Sequence, residues 1–215
     1  QMPASVSDVS LKATATPITS QTCVHDGCVV PCCPHRIGRT YVWCWSKNPY
    51  HKIAPLTFFT GPDFPCMLFT YALICTPTFF FIKDVCAALG AWALVVGSIS
   101  SASVILAFTL AACSDPGIIP PRDPDLEAPV WVPGSPGPRM TLCTHCNVLR
   151  PPRAIHCHDC KVCVLELDHH CPWTGKCIGK RNLFFFHAFL CLLCSHLGVV
   201  LLGTIVWMSM RSTPS

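Results

Sequence analysis

A chain of 215 residues has room for one or two domains, and this one is 51% hydrophobic but only 12% charged, roughly half the charge of an average soluble domain. That balance excludes a freely soluble globule and predicts that part of the chain sits in a membrane. Eighteen cysteines would suit a disulfide scaffold in a short secreted protein, but no basic start followed by an apolar core opens the sequence, so no secretory signal peptide is expected. A net charge of +4 from scattered Lys and Arg gives no argument for a nucleic-acid partner.

In chain order, residues 1–64 are polar and read as an irregular segment. Cys23, Cys28, Cys32 and Cys33 lie near His25 and His35, but their spacing is loose for a metal site. Reversible acylation of Cys32 and Cys33, or disorder, is the favoured reading there. Three stretches then lack Asp, Glu, Lys and Arg: 65–82, 85–113 and 183–210. Each is read as a membrane-spanning helix. The first, at about 27 Å, is the shortest for a ~30 Å hydrocarbon core and holds Pro77. Only Lys83 and Asp84 separate it from the second, which predicts a tight hairpin over 65–113. Gly90, Gly97, Ser98, Ser100, Ser101 and Ser103 would let neighbouring helices approach closely. His187 and His196 in the third span are either functional groups or neutral side chains bonded to another helix.

Positive charge orients the hairpin. Of 15 Lys and Arg, five precede residue 65, one lies in the turn, eight lie between 114 and 182, and one is Arg211. The positive-inside tendency puts 1–64 and 114–182 in the cytosol. That compartment is reducing, so cysteines there stay free or bind metal. Residues 114–142 carry eight prolines and read as an extended cytosolic connector. Residues 211–215 remain as a short tail.

Between Cys143 and Cys177 the chain places seven cysteines and five histidines in 35 residues. Two-residue gaps aim both thiolates of a pair at one ion, and a structural zinc takes four such ligands. Two closed Cys3His sites would use six cysteines and two histidines, leaving one cysteine beside a histidine. Spacing alone does not say which cysteine is spare. The run Asp168-His169-His170-Cys171 makes Cys171 the candidate, because a thiol becomes a nucleophile when an adjacent imidazole, oriented by a carboxylate, takes its proton. The alternative is that all seven cysteines are structural. With few core residues, the 143–182 module would draw its folding free energy from metal.

These residues resemble the DHHC family of protein S-acyltransferases. The matching text runs from Cys143 through Arg150-Pro151, Arg153, His156-Cys157, Cys160 and Cys163 to Asp168-His169-His170-Cys171-Pro172-Trp173, Cys177, Gly179 and Asn182, with an Asp115-Pro116-Gly117 motif after the second span. The resemblance implies a mainly α, polytopic integral membrane protein, with a small cytosolic zinc-stabilised module between spans two and three. It assigns one structural zinc to Cys143, Cys146, His156 and Cys163, and a second to Cys157, Cys160, His170 and Cys177. It makes Cys171 the acyl-accepting nucleophile, His169 its base and Asp168 the carboxylate that holds the imidazole.

The activity so implied is ping-pong transfer of a long-chain acyl group, typically palmitoyl, from acyl-coenzyme A to cysteines of cytosolic or membrane-associated proteins. Membrane lipids are the surrounding partner. The setting is the Golgi, endoplasmic reticulum or plasma membrane, with the module facing the cytosol. Lys176, Lys180 and Arg181 beside the motif are candidate contacts for coenzyme A phosphates. Lys176 stands where the family usually has Asn. The sequence stops before the family's fourth helix and Thr-Thr-x-Glu motif, so a fragment or shortened product is expected. A membrane-anchored zinc module that binds partners without catalysis is the rival reading.

Overall fold

The structure is a computed structural model that describes residues 22–25, 28–31, 35–43, 58–119 and 140–212. Cys32 and Cys33 lie outside the described residues, and so do the side chains of Cys23, Cys28, His25 and His35.

Among the described residues, three long helices are apolar enough to cross a membrane: Phe64–Leu89, Ala91–Cys113 and Leu183–Ser212. Their outward faces carry Leu68, Phe79, Trp92, Ile99, Leu106 and Leu201, all exposed, a density of apolar surface that water does not tolerate. The inner faces meet around Met67, Ile74, Val104, Phe108 and Phe189. Phe108 is central, with its ring 4.7 Å from Tyr71 and 5.0 Å from Phe189.

The first helix differs from its expected end. It passes through Lys83 and Asp84 as a π-helical turn, Phe81–Cys86, and breaks only at Gly90, whose φ is 102°. From Phe64 to Lys83 the rise is about 30 Å, the thickness of the hydrocarbon core. The two charges thus lie within the helix, and the chain turns later, at Gly90, a residue that accepts a positive φ. Of the two histidines in the third long helix, His187 is exposed. His196 is buried, with Nε2 3.1 Å from Thr78 Oγ1 and Nδ1 2.9 Å from Ser100 Oγ, so it joins all three helices.

Among the described residues, five small antiparallel sheets of short strands lie outside the helices. β1 (Thr22–His25) pairs with β2 (Cys28–Pro31). β3 (His35–Ile37), β4 (Thr40–Val42) and β5 (Phe59–Thr60) form a three-stranded sheet. The described parts of the amino-terminal segment thus include short strands where irregular chain was expected. The β3–β5 sheet docks: Ile37, Val42 and Phe59 share one core with Val162, Val164, Cys157, Cys160 and Cys177, and the Arg39 amide donates to the Cys160 carbonyl at 2.8 Å.

The cysteine-rich module is built from three hairpins: β6 (Thr141–Cys143) with β7 (Val148–Arg150), β8 (Ile155–Cys157) with β9 (Val162–Val164), and β10 (His169–Cys171) with β11 (Lys176–Ile178). The first two close on the same turn. In each, the residue after the second cysteine has a positive φ, Asn147 at 52° and Lys161 at 57°, and its amide donates to the carbonyl of the first cysteine at 2.8 and 2.9 Å. That turn brings both thiols of a Cys-x2-Cys pair to one side.

Residues 114–119 lace the module to the end of the second helix. Asp115 Oδ1 accepts from the amides of Gly117 and Ile118 at 2.8 and 2.9 Å, and Ile118 bridges to Val164.

Candidate functional site

Two groups of donor atoms converge within the module. Cys143, Cys146, His156 and Cys163 form one, and Cys157, Cys160, His170 and Cys177 the other. Within each group the donors lie within 4.8 Å of one another. A zinc ion with bonds of about 2.3 Å to sulfur and 2.0 Å to nitrogen spaces its tetrahedral ligands roughly 3.5–3.8 Å apart. In the second group His170 Nδ1 is 3.6, 3.4 and 3.8 Å from the sulfurs of Cys157, Cys160 and Cys177. In the first, His156 Nδ1 is 3.1 and 3.9 Å from Cys146 and Cys163. Both groups could hold a metal ion, and the Cys3His donor set suits zinc.

The charge state of the second group points the same way. Hydrogen bonds from Cys160 and Cys177 hold the Cys157 thiol far below its usual range, while sharing with Cys157 pushes Cys160 up to about 12. Three crowded sulfurs cannot all ionise without a cation among them. Burial pulls the His170 imidazole down, but Asp63 and Cys157 outweigh it and hold it above its usual value.

Strand alternation sorts the Asp168-His169-His170-Cys171 run. His170 lies opposite Cys177 in the β10–β11 ladder, so both side chains face the second group. In an extended strand its neighbours His169 and Cys171 point to the other face. Cys171 belongs to neither donor group and is 6% exposed. His169 Nδ1 is 2.8 Å from Asp168 Oδ2, and its ring stands edge-on to Phe186 at 5.3 Å. The 3-10 turn Pro172–Thr174 follows at once and packs on the first helix, where Thr70 Oγ1 donates to the Trp173 carbonyl at 3.0 Å. The Cys171 segment therefore lies against the start of the first apolar helix.

Of the three basic residues read as phosphate contacts, Lys176 is corrected. It is 1% exposed, and its Nζ donates to the carbonyl of Ser114, the residue that ends the second helix. Burial pushes its ammonium down to about 8. A cation enclosed in this way serves the fold and does not face an anionic ligand. Lys180 reaches Glu166 at 2.7 Å, and Arg181 reaches Asp115.

The sequence reading missed two participants' surroundings. Asn182 is fully buried, accepting from the Gly179 amide at 2.9 Å and donating to the carbonyls of Ala111 and Cys177 at 3.2 Å each. Asp63, at the start of the first helix, places Oδ2 2.7 Å from His170 Nε2.

Comparison with known proteins bears on this arrangement. Residues 138–213 match the family model described as DHHC palmitoyltransferase. Over this segment the chain is similar to the DHHC family. The chain is 36% identical over 140 residues to the palmitoyltransferase ZDHHC8 of Drosophila melanogaster, covering 61% of this chain and 14% of that protein. It is 45% identical over 101 residues to the palmitoyltransferase ERF2 of Kluyveromyces lactis, covering 40% of this chain and 28% of that one. With human ZDHHC8 it shares 41% over 113 residues, 47% of this chain and 15% of the relative. The chain thus spans less than a third of the length of these relatives.

Proposed function

We propose that this chain is the catalytic core of a protein S-acyltransferase, in which Cys171 accepts an acyl group from acyl-coenzyme A and passes it to a protein cysteine. One observation carries the reading: of the seven cysteines in the module, Cys171 is the one that joins neither donor group, and it shares a strand face with a histidine held by a carboxylate.

The two donor groups, each filled by zinc, fix the hairpins and supply no step of the chemistry. Asp168 accepts the Nδ1 proton of His169, which leaves Nε2 as the base. Nε2 takes the Cys171 proton, and the thiolate attacks the thioester carbonyl. The new carbon–sulfur bond forms, the bond to coenzyme A breaks, and the departing thiolate recovers the proton from the imidazolium. A substrate thiol then repeats the sequence in reverse, acquiring the acyl group and returning Cys171 to the thiol. A thioester is exchanged for a thioester in each half, so neither needs an energy source.

Three apolar helices support a polytopic membrane topology, with the module on the cytosolic side as the distribution of Lys and Arg favours. The acyl chain gains about 0.8 kcal/mol per CH2 in hydrocarbon, so a nucleophile packed beside the first helix meets the thioester while the tail stays in lipid. Lys180 and Arg181 remain the candidates for coenzyme A phosphates. The membrane is assigned to the Golgi, endoplasmic reticulum or cell surface.

Purified chain in detergent, incubated with labelled palmitoyl-coenzyme A, is expected to take up label that neutral hydroxylamine removes and Cys171→Ser abolishes. Label that persists unchanged in that variant would overturn the assignment.

A further inference from the structure

The amino-terminal edge of the first helix holds a residue that the cysteine-rich segment does not contain. Asp63 is the residue before the helix Phe64–Leu89, a position where Asp ordinarily turns its carboxylate onto the first free amides of the helix. Here the side chain makes no such bond. It crosses to the module instead, and Oδ2 meets His170 Nε2 at 2.7 Å over a sequence separation of 107 residues. The imidazole is mostly enclosed, with 12% of its side chain exposed.

The contact is built, not incidental. The Asp63 amide donates to the Gly175 carbonyl at 3.2 Å. Two residues earlier, Gly61 lies so close to that carbonyl that a Cβ on it would stand 2.0 Å from the oxygen. Only a residue without a side chain allows the segment before the first helix to press against the turn between β10 and β11. The backbone thus sets Asp63 at one distance from His170.

A carboxylate only accepts, so His170 must carry its proton on Nε2 and turn the Nδ1 lone pair toward Cys157, Cys160 and Cys177. We propose that Asp63 is a positioning residue for the second metal centre, fixing the tautomer and ring orientation of His170 and so tying the first membrane helix to the fold of the catalytic module. This rests on the zinc reading of that centre. The first centre has a different arrangement, since the His156 ring stacks on His145 at 4.9 Å. The Asp63 carboxylate adjoins the centre whose His170 lies on the Cys171 strand. Loss of an outer-sphere partner of this kind typically weakens metal binding about 10–100-fold.

The test uses two substitutions that both keep a good helix start. Asp63→Ser retains a capping group but is too short to reach His170, whereas Asp63→Asn keeps an oxygen that accepts the Nε2 proton. Zinc content of the purified full chain is measured first, followed by release to a chromophoric chelator. Wild type is expected to hold two ions. Asp63→Ser should release one of them about 10–100-fold more readily, and Asp63→Asn should stay close to wild type. Release at the wild-type rate in Asp63→Ser, or equal weakening by Ser and Asn, overturns the proposal. A wild-type chain that holds no zinc overturns the metal reading itself, which separates the two failures.

Discussion

His169 Nδ1 stands 2.8 Å from Asp168 Oδ2, one residue away on the same chain. Adjacent side chains in an extended strand point apart, so this bond requires Asp168 to lie just outside the strand that begins at His169. Its consequence is chemical: an acceptor at Nδ1 leaves Nε2 unprotonated. An amide at the same place can donate to Nδ1 and reverse the tautomer. Asp168→Asn is therefore expected to slow Cys171 acylation by about 10²-fold or more, with both ions retained. The initial rate of hydroxylamine-labile labelling, normalised to zinc content, measures it.

Asn182 gives a second prediction, about stability. Its amide serves three backbone groups from three places: Ala111 at the end of the second helix, Cys177 in the module, and Gly179 before the third helix. All are buried around a side chain that is 0% exposed. Asn182→Leu fills the volume but leaves those groups unpaired, at about 1–3 kcal/mol for each that finds no substitute. Thermal unfolding in detergent should show a clearly lowered midpoint. A midpoint equal to wild type would mean that the three carbonyl and amide groups are not held by this side chain.

How much of this was legible beforehand follows from the range of each interaction. The Cys-x2-Cys pairs announce themselves because both ligands come from one turn, closed locally by Asn147 or Lys161. The helices announce themselves by composition. Asp63 was not legible, since an acidic residue before an apolar run reads as a helix start and its partner lies 107 positions away. The β3–β5 sheet was equally silent, because strands of two or three residues carry almost no alternating pattern and are held by docking on Val162, Val164 and the cysteines. Lys176 misled for the opposite reason: a lysine beside a charged loop reads as surface, and only the three-dimensional course of residues 114–119 encloses it.

His196 supplies a third prediction. Both ring nitrogens are engaged, by Thr78 of the first helix and Ser100 of the second, so the ring acts as a three-way pin. His196→Leu removes it. The orphaned hydroxyls can fall back on carbonyls of their own helices, as Ser101 and Thr109 already do at 2.6 and 2.8 Å. The loss is therefore expected to be modest, about 0.6–2 kcal/mol, and is read as lowered resistance to unfolding in mixed micelles.

Metal removal discriminates between the cysteines. The hairpin β8–β9 supplies His156 and Cys163 to one donor group and Cys157 and Cys160 to the other, so both groups brace the same short ladder. Three-residue strands cannot hold that ladder alone, and metal bound at the two groups would supply folding free energy to the module. A strong chelator is expected to make the segment 140–182 sensitive to protease while the apolar helices keep their helical circular dichroism. Cys143→Ser should lower zinc content and produce the same sensitivity without chelator. Cys171→Ser should do neither, because its sulfur stands outside both groups. Zinc loss in Cys171→Ser would make that sulfur a ligand and remove the free nucleophile on which the proposed chemistry depends.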